Sequence, residues 1–264
     1  MSRPLKRFSQ NFLTNTHYQQ QIVEALDISP NDVVIEIGPG HGALSEIILK
    51  KNPAKFIAVE IDRSLAGELK TRYGSNIELL NKDFLETELD KWLSANRLEN
   101  KIIGNIPYNI TSPILFKLLD QYNLLRRAVL MVQKEVAKRI AAAPNCKDYG
   151  ILSVLSQTYA QVDYLFDVGR GNFYPAPNVD SAVIRLNFYE RAEGIDDEAL
   201  FRRIVRHTFN YRRKMLRNSL GRILDKTIVY SLESITLDRR PENLSVQQFK
   251  ALANEIHSKT KTVL

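Results

Sequence analysis

Three glycines fall within five residues directly behind an apolar run, and that junction limits the possible folds more than any other part of the chain. Val33-Val34-Ile35-Glu36-Ile37 has the β-branched, almost unbroken apolar character of a strand covered on both faces. Gly38-Pro39-Gly40-His41-Gly42 follows, and a helix is expected over Leu44 to Lys50. Glycine permits positive φ and lets the backbone come close to a ligand. The alternation continues: Phe56 to Glu60, Ile77 to Leu80, Ile102-Ile103 and Arg127 to Gln133 read as strands. Helices are expected over Ser64 to Arg72, Pro113 to Leu119 and Lys134 to Ala143, with a leading one over Thr16 to Leu26. Period-two stretches near Val162 to Val168 and Val179 to Phe188 suggest a closing hairpin. The expectation is an α/β fold, a mostly parallel sheet with helices on both faces. Trp92 is expected on a helix covering that sheet, and no internal repeat is present.

The pattern changes at about Arg191. Glu193-Gly194-Ile195-Asp196-Asp197 is polar and linker-like, and nothing beyond it reads as a long strand. Phe201, Ile204, Val205 and Phe209 recur at helical spacing. Further helices are expected over Arg213 to Leu224, Thr227 to Ser234 and Val246 to His257, with a break near Asn210-Tyr211. The expected domains are therefore 1–191, α/β, and 192–264, small and helical.

Charge points to a partner. The formal net charge is +7, yet the stretch from Phe201 to Arg222 alone holds eight cations and no acid. They are Arg202, Arg203, Arg206, Arg212, Arg213, Lys214, Arg217 and Arg222. The chain before Glu24 also carries only positive charge. Such concentration is the footprint of a phosphate-backbone binder, and these eight residues are the expected RNA-binding set. The four histidines, at 17, 41, 207 and 257, are scattered, so no metal site is expected, and His41 is expected to serve the turn structurally. One cysteine, Cys146, excludes an internal disulfide framework, fits a reducing cytoplasm and is read as an incidental thiol. No apolar run reaches the roughly 18 residues of a membrane span.

The chemistry-bearing residues sit where strands end. Gly-x-Gly-x-Gly at 38–42 differs from the Gly-x-Gly-x-x-Gly of dinucleotide sites and lacks the Lys-Ser/Thr of a triphosphate loop. Glu60 closes the second strand, where a carboxylate can hold ribose hydroxyls, with Ile61 beside it. Asp83 follows the third strand, placed to accept from an adenine amino group, with Phe84 next to it to pack on the ring. A nucleoside would lie across these successive strand ends, where open α/β sheets bind ligands. Asn105-Ile106-Pro107-Tyr108 follows the fourth strand. The Asn105 oxygen is a neutral acceptor for one N–H of a base amino group. Pro107 removes a donor and biases Ile106 toward an extended conformation, leaving a local carbonyl for the other N–H. Tyr108 can stack on the base.

These motifs, with Phe8-Ser9-Gln10-Asn11-Phe12-Leu13, Pro177-Asn178-Val179-Asp180-Ser181, Arg212-Arg213-Lys214, Arg217-Asn218-Ser219-Leu220 and Glu242-Asn243-Leu244-Ser245, resemble the ribosomal RNA adenine N6-dimethyltransferases over nearly the whole chain. The likeness is greatest to the bacterial small-subunit branch. The resemblance implies a Rossmann-like methyltransferase sheet with a small C-terminal helical domain. It implies S-adenosylmethionine as methyl donor, held at Asn11, Leu13, Gly38, Gly40, Glu60, Ile61, Asp83, Phe84 and Asn105. It also implies that Asn105, Ile106, Pro107 and Tyr108 carry catalysis, with Phe173 closing on the target adenine opposite Tyr108. The implied partner is small-subunit rRNA within the immature subunit, met by a monomer that needs no metal and no membrane. Two neighbouring adenosines near the 3′ end, each dimethylated, are the implied target. Asn178, where that pattern has lysine, and Gly169-Arg170-Gly171-Asn172 depart from it. Two rivals remain: a large-subunit resistance methyltransferase and a non-catalytic assembly or transcription factor. Similarity through the C-terminus opposes the first, and intact Gly38, Glu60, Asp83, Asn105 and Tyr108 oppose the second.

Overall fold

The computed structural model describes residues 11–261. Nine strands and ten α-helices are described: β1 (Phe12–Leu13), α1 (Thr16–Leu26), β2 (Val33–Ile37), α2 (Ser45–Lys50), β3 (Lys55–Val59), α3 (Arg63–Tyr73) and β4 (Glu78–Leu80) come first. Then follow β5 (Asn100–Asn105), α4 (Thr111–Asp120), β6 (Arg127–Gln133), α5 (Lys134–Ala141), α6 (Ile151–Tyr159), β7 (Ala160–Val168), β8 (Phe173–Tyr174) and β9 (Ser181–Phe188). The remaining helices are α7 (Glu198–Asn210), α8 (Leu216–Leu220), α9 (Lys226–Tyr230) and α10 (Val246–Lys261).

The main sheet has seven strands in the order β4-β3-β2-β5-β6-β9-β7. The pairs among β4, β3, β2, β5 and β6 are parallel, while β9 runs antiparallel to both β6 and β7. The order turns back on itself at β2, so ligand-binding loops are expected at the carboxyl ends of β2 and its neighbours. β2 is buried along its whole length, as a run of Val and Ile in a doubly covered parallel strand requires. α1 places Ile22, Val23 and Leu26 against this sheet, and each such side chain contributes about 1.5–3 kcal/mol on burial. Asn15 caps the helix by accepting from the His17 amide at 3.0 Å.

Contacts divide the chain into two compact units. One contains residues up to 137 and 160–190; the other contains 138–159 and everything from 191 onward. The helical unit thus takes in α6, which lies well before the expected boundary at 192. α6 carries buried Ser153, Ser156 and Thr158 among its apolar residues, so its sequence shows no one-sided apolar stripe. Within this unit α6 touches α7 and α10. The Arg202 guanidinium lies 4.5 Å from the ring centre of Tyr159 and donates to its hydroxyl at 2.8 Å. α7 buries Phe201, Ile204, Val205, Thr208 and Phe209 and stops at Asn210, where the break was expected. The expected helix over Arg213 to Leu224 is only α8, because residues 211–214 form turns, with Lys214 N–H donating to the Tyr211 carbonyl. Trp92 also departs from expectation. It follows a single 3₁₀ turn over Leu89–Lys91 and is half-buried, with the Lys55 ammonium 5.2 Å from its ring centre.

The amino-terminal edge of the sheet is fixed by a buried ion pair. Lys101 and Asp32 are 6% and 2% exposed and meet at 2.7 Å. The same ammonium donates to the carbonyl of Asp27, which caps α1 in the left-handed region at φ 59°. One lysine therefore ties the helix end to β2 and β5. Removing one partner of a buried pair leaves a charge without compensation, at a cost of about 3–5 kcal/mol. Lys101→Met is expected to lose that much stability in urea unfolding. Adding Asp32→Asn, whose amide oxygen can still accept from Ser29 N–H, is expected to recover much of it. A Lys101→Met protein within about 1 kcal/mol of wild type would show that the pair bears no such load.

Candidate active site

Residues at the ends of β2, β3, β4 and β5 surround an open cleft, at the place where parallel α/β sheets bind ligands. Asn11, Phe12, Gly38, Gly40, Glu60, Ile61, Asp83, Phe84, Asn105, Ile106, Pro107 and Tyr108 all line it. An adjoining cleft shares Phe12, Gly38, Gly40 and Asn105, and is otherwise lined by Leu13, Glu36, His41, Glu68, Arg72 and Tyr174, among others.

The glycine turn is shaped by contact as much as by torsion. Gly40 has φ +60°, and a Cβ there would lie 2.8 Å from the Phe12 ring. Gly104, which the sequence gave no reason to single out, is just as constrained: its Cβ would stand 2.8 Å from the Ile37 carbonyl oxygen. Glu60 fastens the turn from β3. Gly40 N–H donates to one carboxylate oxygen at 3.0 Å and Asp62 N–H to the other at 2.9 Å. The residue is 4% exposed, and burial raises its carboxyl above the ordinary range although both amides act the other way. A carboxylate has about four lone-pair sites, so acceptor capacity remains for a hydroxyl pair. Deeper in the turn, Glu36 is fully enclosed and accepts from the Ser45 hydroxyl at 2.5 Å. Burial pushes its carboxyl up from 4.5 to about 8.

Asp83 caps the turn after β4, one oxygen accepting from Leu85 N–H at 2.8 Å. Phe84 is 4% exposed, and the Lys117 ammonium lies 5.9 Å from its ring centre. Asn105 donates from Nδ2 to the carbonyl of Asn11 at 2.8 Å. A carbonyl only accepts, so this bond turns Oδ1 away as an acceptor that no described residue uses. The Pro107 carbonyl is taken by Ile110 N–H at 3.1 Å, which leaves that of Ile106 as the second local acceptor. Tyr108 is held by its hydroxyl, 2.7 Å from Ser181 Oγ, and burial raises the phenol pKa. Ser181 thus gives the Pro177–Ser181 motif a task at the site that sequence alone did not show. Lys82 and Ile110 also line the cleft without having been anticipated.

Phe173 is not where it was expected. It is 5% exposed, belongs to the apolar core and lines neither cleft. Strand alternation explains this: β1 and β8 pair with Leu13 opposite Phe173 and Phe12 opposite Tyr174. The first pair faces the core, and Leu13 accordingly is mostly buried, touching only the second cleft. The second pair faces the clefts, with Tyr174 68% exposed.

The cationic stretch is less bare than its sequence. Arg212 pairs with Glu242 at 2.5 Å and donates to the Cys146 carbonyl, and Arg217 pairs with Asp238 at 2.5 Å. Arg222 lies 4.7 Å from the Tyr211 ring centre, and Arg202 is engaged by Tyr159. Arg203, Arg206, Arg213 and Lys214 are exposed. Among the described residues there is no cluster of three His, Cys, Asp or Glu able to hold a metal. No described helix is long and apolar enough to cross a membrane.

A family model described as ribosomal RNA adenine dimethylase matches residues 1–258. The chain belongs to that family. It is an S-adenosylmethionine-dependent rRNA adenine dimethyltransferase. A ribosomal RNA small subunit methyltransferase A from Chlorobium phaeobacteroides is 45% identical over 95% of this chain and 93% of its own length. The protein of that name from Phocaeicola vulgatus is 41% identical over 98% and 91%. Among solved structures, a dimethyladenosine transferase from Plasmodium falciparum superposes with a TM-score of 0.83 at 28% identity, covering 94% of this chain and 98% of that one. The 23S rRNA methyltransferase ErmE reaches 0.70 at 26%, covering 94% and 100%. The Rossmann-like reading of the sheet stands, and the large-subunit rival has the weaker structural likeness.

Because Glu60 both holds the turn and lines the cleft, Glu60→Ala is expected to act twice. Two amides lose their acceptor, each at about 1–3 kcal/mol, so stability in urea unfolding is expected to fall by about 2–6 kcal/mol. Affinity for S-adenosylhomocysteine, read by calorimetry, is expected to fall about 10- to 150-fold, the equivalent of losing roughly 1.5–3 kcal/mol of charged hydrogen bonding. Unchanged affinity in a folded variant would place the donor elsewhere.

Proposed function

We propose that this dimethyltransferase acts on N6 of two adjacent adenosines near the 3′ end of small-subunit rRNA, as a cytoplasmic monomer working on the immature subunit. The observation that carries the residue assignment is the bond from Asn105 Nδ2 to the Asn11 carbonyl, which commits Asn105 Oδ1 to accepting. The relatives named for the small subunit support the choice of RNA.

The cleft suits the donor. Gly38 and Gly40 leave a backbone wall without side chains, Glu60 offers a carboxylate to a ribose and Asp83 an oxygen to an adenine amino group. When bound, S-adenosylmethionine supplies a methyl group already activated on a sulfonium, so no protein nucleophile is needed. The work left to the chain is orientation. The lone pair of an adenine amino group is delocalised into the ring, which makes the nitrogen a poor nucleophile. Asn105 Oδ1 and the Ile106 carbonyl accept its two N–H bonds and favour a pyramidal nitrogen with its lone pair aimed at the methyl carbon. Positioning and fixed dipoles of this kind supply much of the acceleration. An amide at 105 also avoids a full negative charge beside the reacting nitrogen. Tyr108, steadied by Ser181, gives the base a ring to stack on. Pro107 fixes the turn between the two acceptors and that ring. We assign RNA contact to the exposed cations, led by Arg203, Arg206, Arg213 and Lys214; Arg202, Arg212, Arg217 and Arg222 also hold their own unit together.

Asn105→Ala is expected to retain the fold and slow single-turnover methylation at saturating donor by about 100-fold or more, as loss of an acceptor aligned with the transition state does. A rate within a few-fold of wild type would sink the assignment. Reversing charge at Arg213 and Lys214, which have no ion-pair partner among the described residues, should weaken subunit binding and spare S-adenosylhomocysteine. Each lost phosphate contact should flatten the slope of log affinity against log salt by roughly 0.7–0.9. Wild-type affinity and slope would reduce this pair to a solvated face.

A further inference from the structure

Two buried carboxylates lie under the glycine turn, and no described basic side chain pairs with either. Glu60 is satisfied by backbone amides, and Glu36 by the Ser45 hydroxyl. Glu36 nevertheless lines the second cleft together with Gly38, Gly40 and Asn105. The sulfonium must come within a methyl group's reach of the amino nitrogen that Asn105 orients, so its charge arrives close to this wall. We propose that Glu36 is the counter-ion of the donor's sulfonium, giving up a proton when S-adenosylmethionine binds and regaining one when the methyl has left. This rests on the donor site described above.

The surroundings fit such an exchange. Enclosure keeps the free carboxyl neutral at pH 7, and the Ser45 hydroxyl stands ready to stabilise the ionised form. Glu60, at the end of β3, opposes ionisation of Glu36 through like charge. From α3, Glu68, Arg72 and Tyr73 approach the same region, and His41 approaches from the turn. Arg72 cannot serve as partner: it is held by Glu46 at 2.8 Å and by the His41 carbonyl at 3.3 Å. His41 faces Glu68 at 3.2 Å. Among the described residues that line this cleft, no basic side chain is left for Glu36, so the ligand brings the positive charge. In transfer, the S–CH₃ bond breaks with its electrons remaining on sulfur, the N6–CH₃ bond forms, and N6 loses a proton to solvent. Sulfur becomes a neutral thioether, and Glu36 then takes up a solvent proton. The device distinguishes donor from product by charge and favours release of the product.

Calorimetry at pH 7 in two buffers of different ionisation enthalpy counts the protons exchanged by the intact protein. Close to one proton should be released with S-adenosylmethionine and clearly fewer with S-adenosylhomocysteine. Donor affinity should rise about tenfold per pH unit up to about pH 8 and then level, while product affinity stays nearly flat. Glu36→Gln should abolish the difference between the ligands. Because the ligand's amino group and Glu60 could also supply protons, a difference that persists in Glu36→Gln overturns the proposal. Equal proton counts for the two ligands in wild type overturn it as well, without any variant. Should Glu60→Ala weaken the donor while the counts are equal, only the role of Glu36 fails. Should Glu60→Ala leave affinity unchanged, the donor site itself is misplaced and both readings fall.

Discussion

A single buried carboxylate governs the geometry of the catalytic unit. Glu60 receives amides from the turn after β2 and from the start of α3, so two loops that could each wander are set against one rigid group. Unmade, those bonds would leave two buried N–H donors, each costing about 1–3 kcal/mol. Made, they hold Gly40 close enough to Phe12 that only a glycine fits. The first strand pair is then braced against the turn, and Asn11 comes within reach of Asn105. The glycine turn, Asn11, Phe12 and Asn105 all border one cleft together with this carboxylate.

Much of this could be read before any coordinates. The parallel sheet followed from strand–helix alternation, and Glu60, Asp83 and Asn105 stood out because each closes an apolar run. What escaped is what depends on three dimensions. Gly104 resembles any strand glycine until β2 is laid beside it. Lys101 and Asp32 are 69 residues apart, and neither belongs to a motif. Arg212 looked free because its partner, Glu242, comes from 30 residues away. The enclosure of Phe173 is a matter of register. A motif names residues in order, whereas a two-residue ribbon with alternating faces decides which of Phe173 and Tyr174 meets the cleft.

The helical unit illustrates the same difference between charge in sequence and charge in space. Its cations do double duty, some closing ion pairs or covering aromatic rings while also reaching the surface. Surface pairs of this type contribute little individually, about 0–1 kcal/mol. Their larger effect is to fix which guanidinium groups are presented and in what orientation, so that a phosphate backbone meets a patterned surface rather than a diffuse cloud.

The bond between Asn105 and Asn11 has a consequence for where the enzyme begins. By strand content alone, a complete parallel sheet could start at Val33, and a fragment trimmed to that point would keep every residue of the glycine turn and of the tetrapeptide at 105. It would lack the carbonyl that decides which end of the Asn105 amide faces the base. With its amide free to rotate by half a turn, such a fragment could present a donor where an acceptor is required. The segment ahead of the sheet therefore serves twice, closing the core through α1 and setting which end of the Asn105 amide is presented.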